Sequence, residues 1–199
     1  MKTDLKSEVL TLRLWRQLYQ TYTLLKLCEN KTVEEYGLTT EQYAVLTSIG
    51  YLGEPARITD IARWLERSTN SISMIVDRMV KASLVKRTRG KDDRRVVYVS
   101  FASKGQKAIK PATRAMFDVV RKILLPLPHG DRISLFNLLG TVKYEMLQYL
   151  NPGIDVEKMK RDESKQAAKA TKWLSSYGLP SIPQAKRQSG KKGRTTRRK

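Results

Sequence analysis

Between Ser68 and Val99 the hydrophobic period changes within one short stretch, and few folds accommodate that change. The stretch opens on Ser68, Thr69 and Asn70, whose short polar side chains suit a helix start. Ile72, Ile75, Val76, Met79 and Val80 then recur at helical spacing and predict one buried stripe. Asn70, Ser71, Ser73, Met74, Asp77, Arg78 and Lys81 fall on the opposite side, small or polar enough for the helix to approach a flat polar surface. After Ser83 the pattern is that of strands. Leu84-Val85-Lys86-Arg87 and Val96-Val97-Tyr98-Val99 flank a charged tip that contains Gly90, which predicts a β-hairpin.

Upstream, Ile61, Ala62, Trp64 and Leu65 predict a short helix capped by Thr59, with Glu66-Arg67-Ser68 as a tight turn. Two helices at a tight turn, followed at once by a basic hairpin, form a winged helix-turn-helix. Its second helix fits the DNA major groove, and its hairpin tip reaches the backbone or the minor groove.

Charge supports an anionic partner. The chain of 199 residues has a net charge of +20. Residues 57–95 hold 11 basic and 5 acidic side chains, and residues 151–199 hold 14 and 4. Basicity is therefore concentrated on the hairpin region and on the C-terminal quarter, which makes nucleic acid and anionic lipid the candidate partners; the helix-turn-helix favours double-stranded DNA, and the tail has no apolar face to insert into a membrane. No apolar run of about 18 residues predicts a membrane span, and the N-terminus has no apolar core of a signal peptide. The lone cysteine, Cys28, excludes an internal disulfide framework and fits a reducing, cytoplasmic setting.

Two apolar helical regions bracket the hairpin. Leu5, Val9, Leu12, Trp15, Tyr19 and Tyr22 step along one helical face, with Leu14, Leu18 and Leu25 on a neighbouring one. A helix apolar on two flanks lies deep in a core or forms a subunit interface, and the interface is the expectation here. Glu34-Glu35-Tyr36-Gly37 ends it, and Thr39 with Gln42 forms a capping box for a helix that buries Tyr43, Val45, Leu46, Ile49 and Leu52. From Ser103 onward, Ile109, Met116, Val119, Val120, Ile123 and Leu124 predict a long helix that contains Pro111. After Pro126-Leu127-Pro128-His129-Gly130, the residues Ile133, Phe136, Leu139, Val142, Met146 and Leu150 predict another. Beyond Asn151-Pro152-Gly153, a Lys- and Ala-rich helix has only Val156, Met159, Trp173, Leu174 and Tyr177 to pack, and Gln184 to Lys199 is too polar to order itself.

The hairpin Asp93-Arg94-Arg95-Val96-Val97-Tyr98-Val99-Ser100, followed by Lys104-Gly105, resembles the wing of the MarR family of transcriptional regulators. Val76-Asp77-Arg78-Met79-Val80-Lys81 and Leu84-Val85-Lys86-Arg87 are similar to that family's recognition helix and first wing strand. Two residues depart from the pattern. Ser83 stands where the family usually ends the helix on glycine, and Ala102 stands where a threonine caps the next helix, so that Ser103 is the expected substitute cap.

The resemblance, over about residues 5–150, implies a mainly α fold: a winged helix-turn-helix with a small β-hairpin wing and long N- and C-terminal dimerisation helices. The domain takes residues 1–150, with the DNA-binding lobe at about 38–101 and the dimerisation helices at about 5–30 and 103–150. Residues 151–199 form a basic extension, partly helical and then disordered.

The function implied is that of a homodimeric repressor of a pseudo-palindromic operator, released by a small aromatic effector. A weakly sequence-specific architectural DNA-binding protein is the alternative. Thr69, Asn70, Ser71, Ser73, Met74 and Arg78 are the expected DNA contacts of the helix, and Lys91, Arg94 and Arg95 those of the wing, with Asp93 holding the neighbouring arginine. Trp15, Tyr19, Tyr22, Tyr43, Tyr51 and Trp64 are candidates for an effector cleft, although aromatics at helical spacing are more often core. Leu24, Leu25 and Leu27 predict a buried structural thiol at Cys28 rather than a redox sensor. His129 is the one histidine, and no metal-ligand spacing, nucleophile triad or phosphate loop is present, so neither a cofactor nor an enzyme activity is expected.

Overall fold

The computed structural model of the chain describes residues 5–179; Gln184–Lys199, expected above to stay disordered, lies outside them. Seven helices and three strands follow in the order α1 (Leu5–Glu34), α2 (Thr40–Leu52), β1 (Ala56–Arg57), α3 (Ile58–Trp64), α4 (Thr69–Lys81), β2 (Val85–Arg89), β3 (Val97–Phe101), α5 (Ser103–Leu124), α6 (His129–Leu150) and α7 (Val156–Ser175). The fold is mainly helical, and its strands form one antiparallel sheet ordered β1-β3-β2. In the wing, Val85 pairs with Phe101 and Arg89 with Val97. On the other side of β3, Ala56 pairs with Val99.

The caps explain where the helices start. Thr39 and Gln42 make the expected reciprocal capping box on α2. Ser68 caps α4, its hydroxyl accepting the Ser71 N–H at 3.2 Å. Thr59 does not cap α3. The chain instead pairs Ala56 and Arg57 with β3, so α3 begins two residues earlier than expected, after an Arg57 with no side-chain cap. Ser103 does not replace the missing threonine either. Ala102 is the N-cap of α5, and no side chain bonds to the first turn.

α4 ends on Ser83 in the left-handed region, at φ 58°. The Ser83 N–H donates to the Val80 carbonyl and the Leu84 N–H to that of Met79, both at 2.9 Å. That is the Schellman pattern normally built on glycine. Leu84 and Met79 both lie in the core, which supplies the hydrophobic contact the motif favours. Gly105 then lets α5 lie against the wing's root, because a Cβ there would sit 2.0 Å from the Leu84 carbonyl oxygen.

One core results. Leu46 and Ile49 of α2, Ile61 of α3, Ile72, Val76 and Met79 of α4, Val99 of β3 and Ile109 of α5 are fully buried, with Val33 at the end of α1. Val80 is not among them; it turns outward at 39% exposure. Elsewhere the chain is open. Leu12, Trp15 and Tyr19 of α1 and Phe136, Leu138 and Leu150 of α6 are all exposed, and α6 buries no residue. Leu24, Leu25 and Leu27 are exposed as well, and Cys28 beside them is half-buried rather than sealed in a core. No helix among the described residues is long and apolar enough to cross a membrane.

Candidate nucleic-acid interface

The buried stripe of α4 decides what its opposite side presents. With Ile72, Ile75, Val76 and Met79 turned into the core, Thr69, Asn70, Met74 and Arg78 are exposed and Ser71 and Ser73 half-buried on the outer side. Met74, at 66% exposure, is an apolar tip among polar neighbours and suits contact with a thymine methyl group.

Two carboxylates brace this surface. Glu41 on α2 accepts from Arg67 Nη1 at 2.8 Å and lies 3.7 Å from Arg78 Nη2. It therefore ties the turn and α4 to α2. Asp77 pairs with Arg87 of β2 and so ties α4 to the wing. Exposed pairs of this kind stabilise a fold by at most about 1 kcal/mol, so their consequence here is orientation of the arginines.

The wing tip is organised by its backbone. The Asp93 carboxylate accepts the Arg95 backbone N–H at 2.8 Å, the Val96 N–H donates to the Asp93 carbonyl at 3.1 Å, and the Gly90 N–H to the Val96 carbonyl at 2.8 Å. Asp93 thus holds the neighbouring Arg95 in the wing, through that residue's main-chain N–H. Its short side chain closes a local turn two residues on, which competes effectively with a flexible ion pair. Lys91, Arg94 and Arg95 all project into solvent.

Sequence reasoning missed Arg87 and Arg89. A hollow in the wing is lined by Arg87, Thr88, Arg89, Arg94, Arg95 and Val97, which brings four arginine residues to one part of the hairpin. Two-residue spacing along β2 was the available signal, since it puts Arg87 and Arg89 on one side of the strand. The cluster suits a phosphate backbone, which accepts from guanidinium donors.

The six aromatics that are candidates for a cleft do not all come together within the chain. Trp15, Tyr19 and Tyr22 of α1 are exposed, while Tyr43 of α2 is buried in the core with its hydroxyl pKa pushed up to about 12, chiefly by desolvation. Tyr51 and Trp64 do meet, their ring centroids 5.6 Å apart, but their next neighbour is Trp173 of α7. Among the described residues no group of three or more His, Cys, Asp or Glu side chains has the geometry to hold a metal ion.

Comparison with known proteins follows the same geometry. The model of the MarR family matches residues 38–97, from two residues before α2 to the first residue of β3. The HTH-type transcriptional regulator MgrA of Staphylococcus aureus is 30% identical over 113 residues, 57% of this chain and 75% of that protein. The HTH-type transcriptional regulator PrsX of Escherichia coli is 29% identical over 134 residues, 61% of this chain and 80% of its own length. The structure of reduced AbfR bound to DNA superposes with a TM-score of 0.59 at 22% identity, over 71% of this chain and 97% of AbfR, a likeness of fold.

Proposed function

This chain belongs to the MarR family and is a DNA-binding transcriptional regulator, and we propose that it works as a homodimeric repressor of a pseudo-palindromic operator. The observation that carries the proposal is the pairing of two surfaces on one chain: a cationic reading face on α4 and the wing, and uncovered apolar faces on α1 and α6. A two-fold partner would cover those apolar faces and place two recognition helices on half-sites about one helical turn apart. Thr69, Asn70, Ser71, Ser73, Met74 and Arg78 then face base edges and adjacent phosphates. Lys91, Arg94, Arg95, Arg87 and Arg89 engage backbone or minor groove, and Asp93 sets the tip. A small aromatic effector, housed between copies, would act by changing the separation of the two helices. Repression of this kind places the protein in the cytoplasm, with the chromosome.

The net charge of +20 favours one rival, an architectural protein that coats DNA with little sequence preference. Footprinting on genomic fragments separates the two. Discrete protected palindromes support the repressor; uniform protection at every saturation level overturns it.

A further inference from the structure

α6 buries no residue, and α5 hands over to it through the short turn Leu125–Pro128. What returns from α6 to the reading lobe is α7. Asp155 caps α7, accepting the Lys158 N–H at 2.8 Å, and the helix then touches both parts of the molecule. Toward α6, Glu163 accepts from Lys143 Nζ at 2.7 Å and from the Tyr144 hydroxyl at 2.7 Å, and Lys160 Nζ lies 5.2 Å from the centre of the Tyr144 ring. Toward the lobe, Trp173 lies flush on α2 at Gly50, where an added Cβ would come within 2.2 Å of its indole Cε2. Its ring meets Tyr51 edge-on at 5.1 Å and Tyr177 at 4.7 Å. Tyr51 continues the contact to Trp64, the last residue of α3 before the turn into α4.

The two attachments are ten residues apart on one helix, about 15 Å at the α-helical rise. One end holds the arm that carries the uncovered apolar face; the other ends against the helix-turn-helix. The glycine at position 50, in the last turn of α2, has a packing reason, since Gly is a weak helix former and only its missing side chain admits the indole.

We propose that α7 is a strap that fixes the angle between the reading lobe and the α6 arm, with Trp173 and Glu163 as positioning residues for operator binding. The inference rests on the dimeric-operator reading above. It adds that the separation of the two recognition helices is set by a C-terminal element that itself need not touch the bases. Trp173 acts through Gly50 and Tyr51, and Glu163 through Lys143 and Tyr144.

The test uses the full chain, Gly50→Ala, Trp173→Ala, Glu163→Ala and Trp173→Phe, on palindromic duplexes whose half-sites are spaced as in the operator or moved by one base pair. Gly50→Ala is informative because alanine favours the helix, so any loss comes from unseating the indole. The parent should prefer one spacing by about tenfold or more, because both helices must fit together, and Gly50→Ala and Trp173→Ala should reduce that to about threefold or less. Glu163→Ala should fall between, and Trp173→Phe should keep most of the preference. Affinity for a single half-site should stay within about twofold throughout, since α4 and the wing are untouched. Hydrogen exchange should show faster exchange of α7 amides in the first two variants, with the α2–α5 core unchanged. Retained spacing preference in variants whose α7 amides exchange freely overturns the strap, as does an α7 equally protected in Gly50→Ala. A parent with no spacing preference overturns the dimeric operator itself, and the strap with it.

Discussion

The lobe built from α2, α3, α4 and the wing and the arms built from α1 and α6 are made of similarly apolar helices, yet they end in opposite states. Ile61, Ile72 and Met79 are fully buried, whereas Leu12 is 71% and Phe136 78% exposed. The helices of the lobe are short, joined by tight turns and backed by a sheet, so each stripe meets another within the same chain. α1 and α6 are 30 and 22 residues long and run beyond the lobe, which leaves most of their apolar length without a partner. Similarly apolar helices therefore close a core in one place and leave uncovered apolar faces in the other.

Several substitutions test that contrast. The largest effect should follow from charging the arm. Phe136→Glu with Leu139→Glu should convert a dimer to monomer in sedimentation and weaken operator binding by about a thousandfold, roughly 4 kcal/mol, while the lobe keeps its fold. A dimer of parental stability carrying both glutamates would show that α6 is not the interface. In the lobe, Met79→Ala should lower unfolding free energy by about 2–5 kcal/mol through a cavity. That loss should be the same at every protein concentration, whereas the stability lent by an arm interface rises with concentration; urea titrations at two concentrations distinguish them.

At the reading face, Arg95→Ala should cost about 1–3 kcal/mol of operator affinity with the thermal midpoint unmoved. Affinity equal to the parent's would remove the wing tip from the interface. Smaller still, Ser83→Gly should stabilise the protein by about 1 kcal/mol, since glycine carries no penalty in the left-handed region that Ser83 occupies. An unshifted urea midpoint would mean that the Schellman turn bears no strain. Last, Ala102→Ser should add about 0.5 kcal/mol by capping a first turn of α5 that has no side-chain partner, and the same titration measures it.

The local features were readable because their causes are local. The α4 stripe, the Ser68 and Thr39 caps and the wing strands depend on residues within one or two turns of each other, and the structure has them. Val80 departs because it sits at the edge of the stripe, where helix geometry alone does not say how far the core extends. β1 escaped notice because two residues show no period; Ala56 and Arg57 become a strand only through hydrogen bonds to β3, some forty positions away. That pairing also moves the start of α3 off Thr59. At the candidate site, the reading face followed from the stripe it opposes, while Glu41 bracing Arg67 and Arg78, and Asp93 bonding main chain, needed the assembled turn.

By itself the sequence determined the helix-turn-helix and wing, the outward face of α4, the excess of positive charge there and the surplus of apolar helix at either end, since each depends on spacing along one element or on composition. Only the tertiary structure decided which apolar stripes find partners inside the chain, how the aromatics divide between α1 and the Tyr51–Trp64–Trp173 cluster, and that α7 returns to seat an indole on Gly50. Those outcomes rest on contacts between residues far apart in the chain, where a missing side chain at position 50 and a ring at position 173 acquire meaning only once they meet.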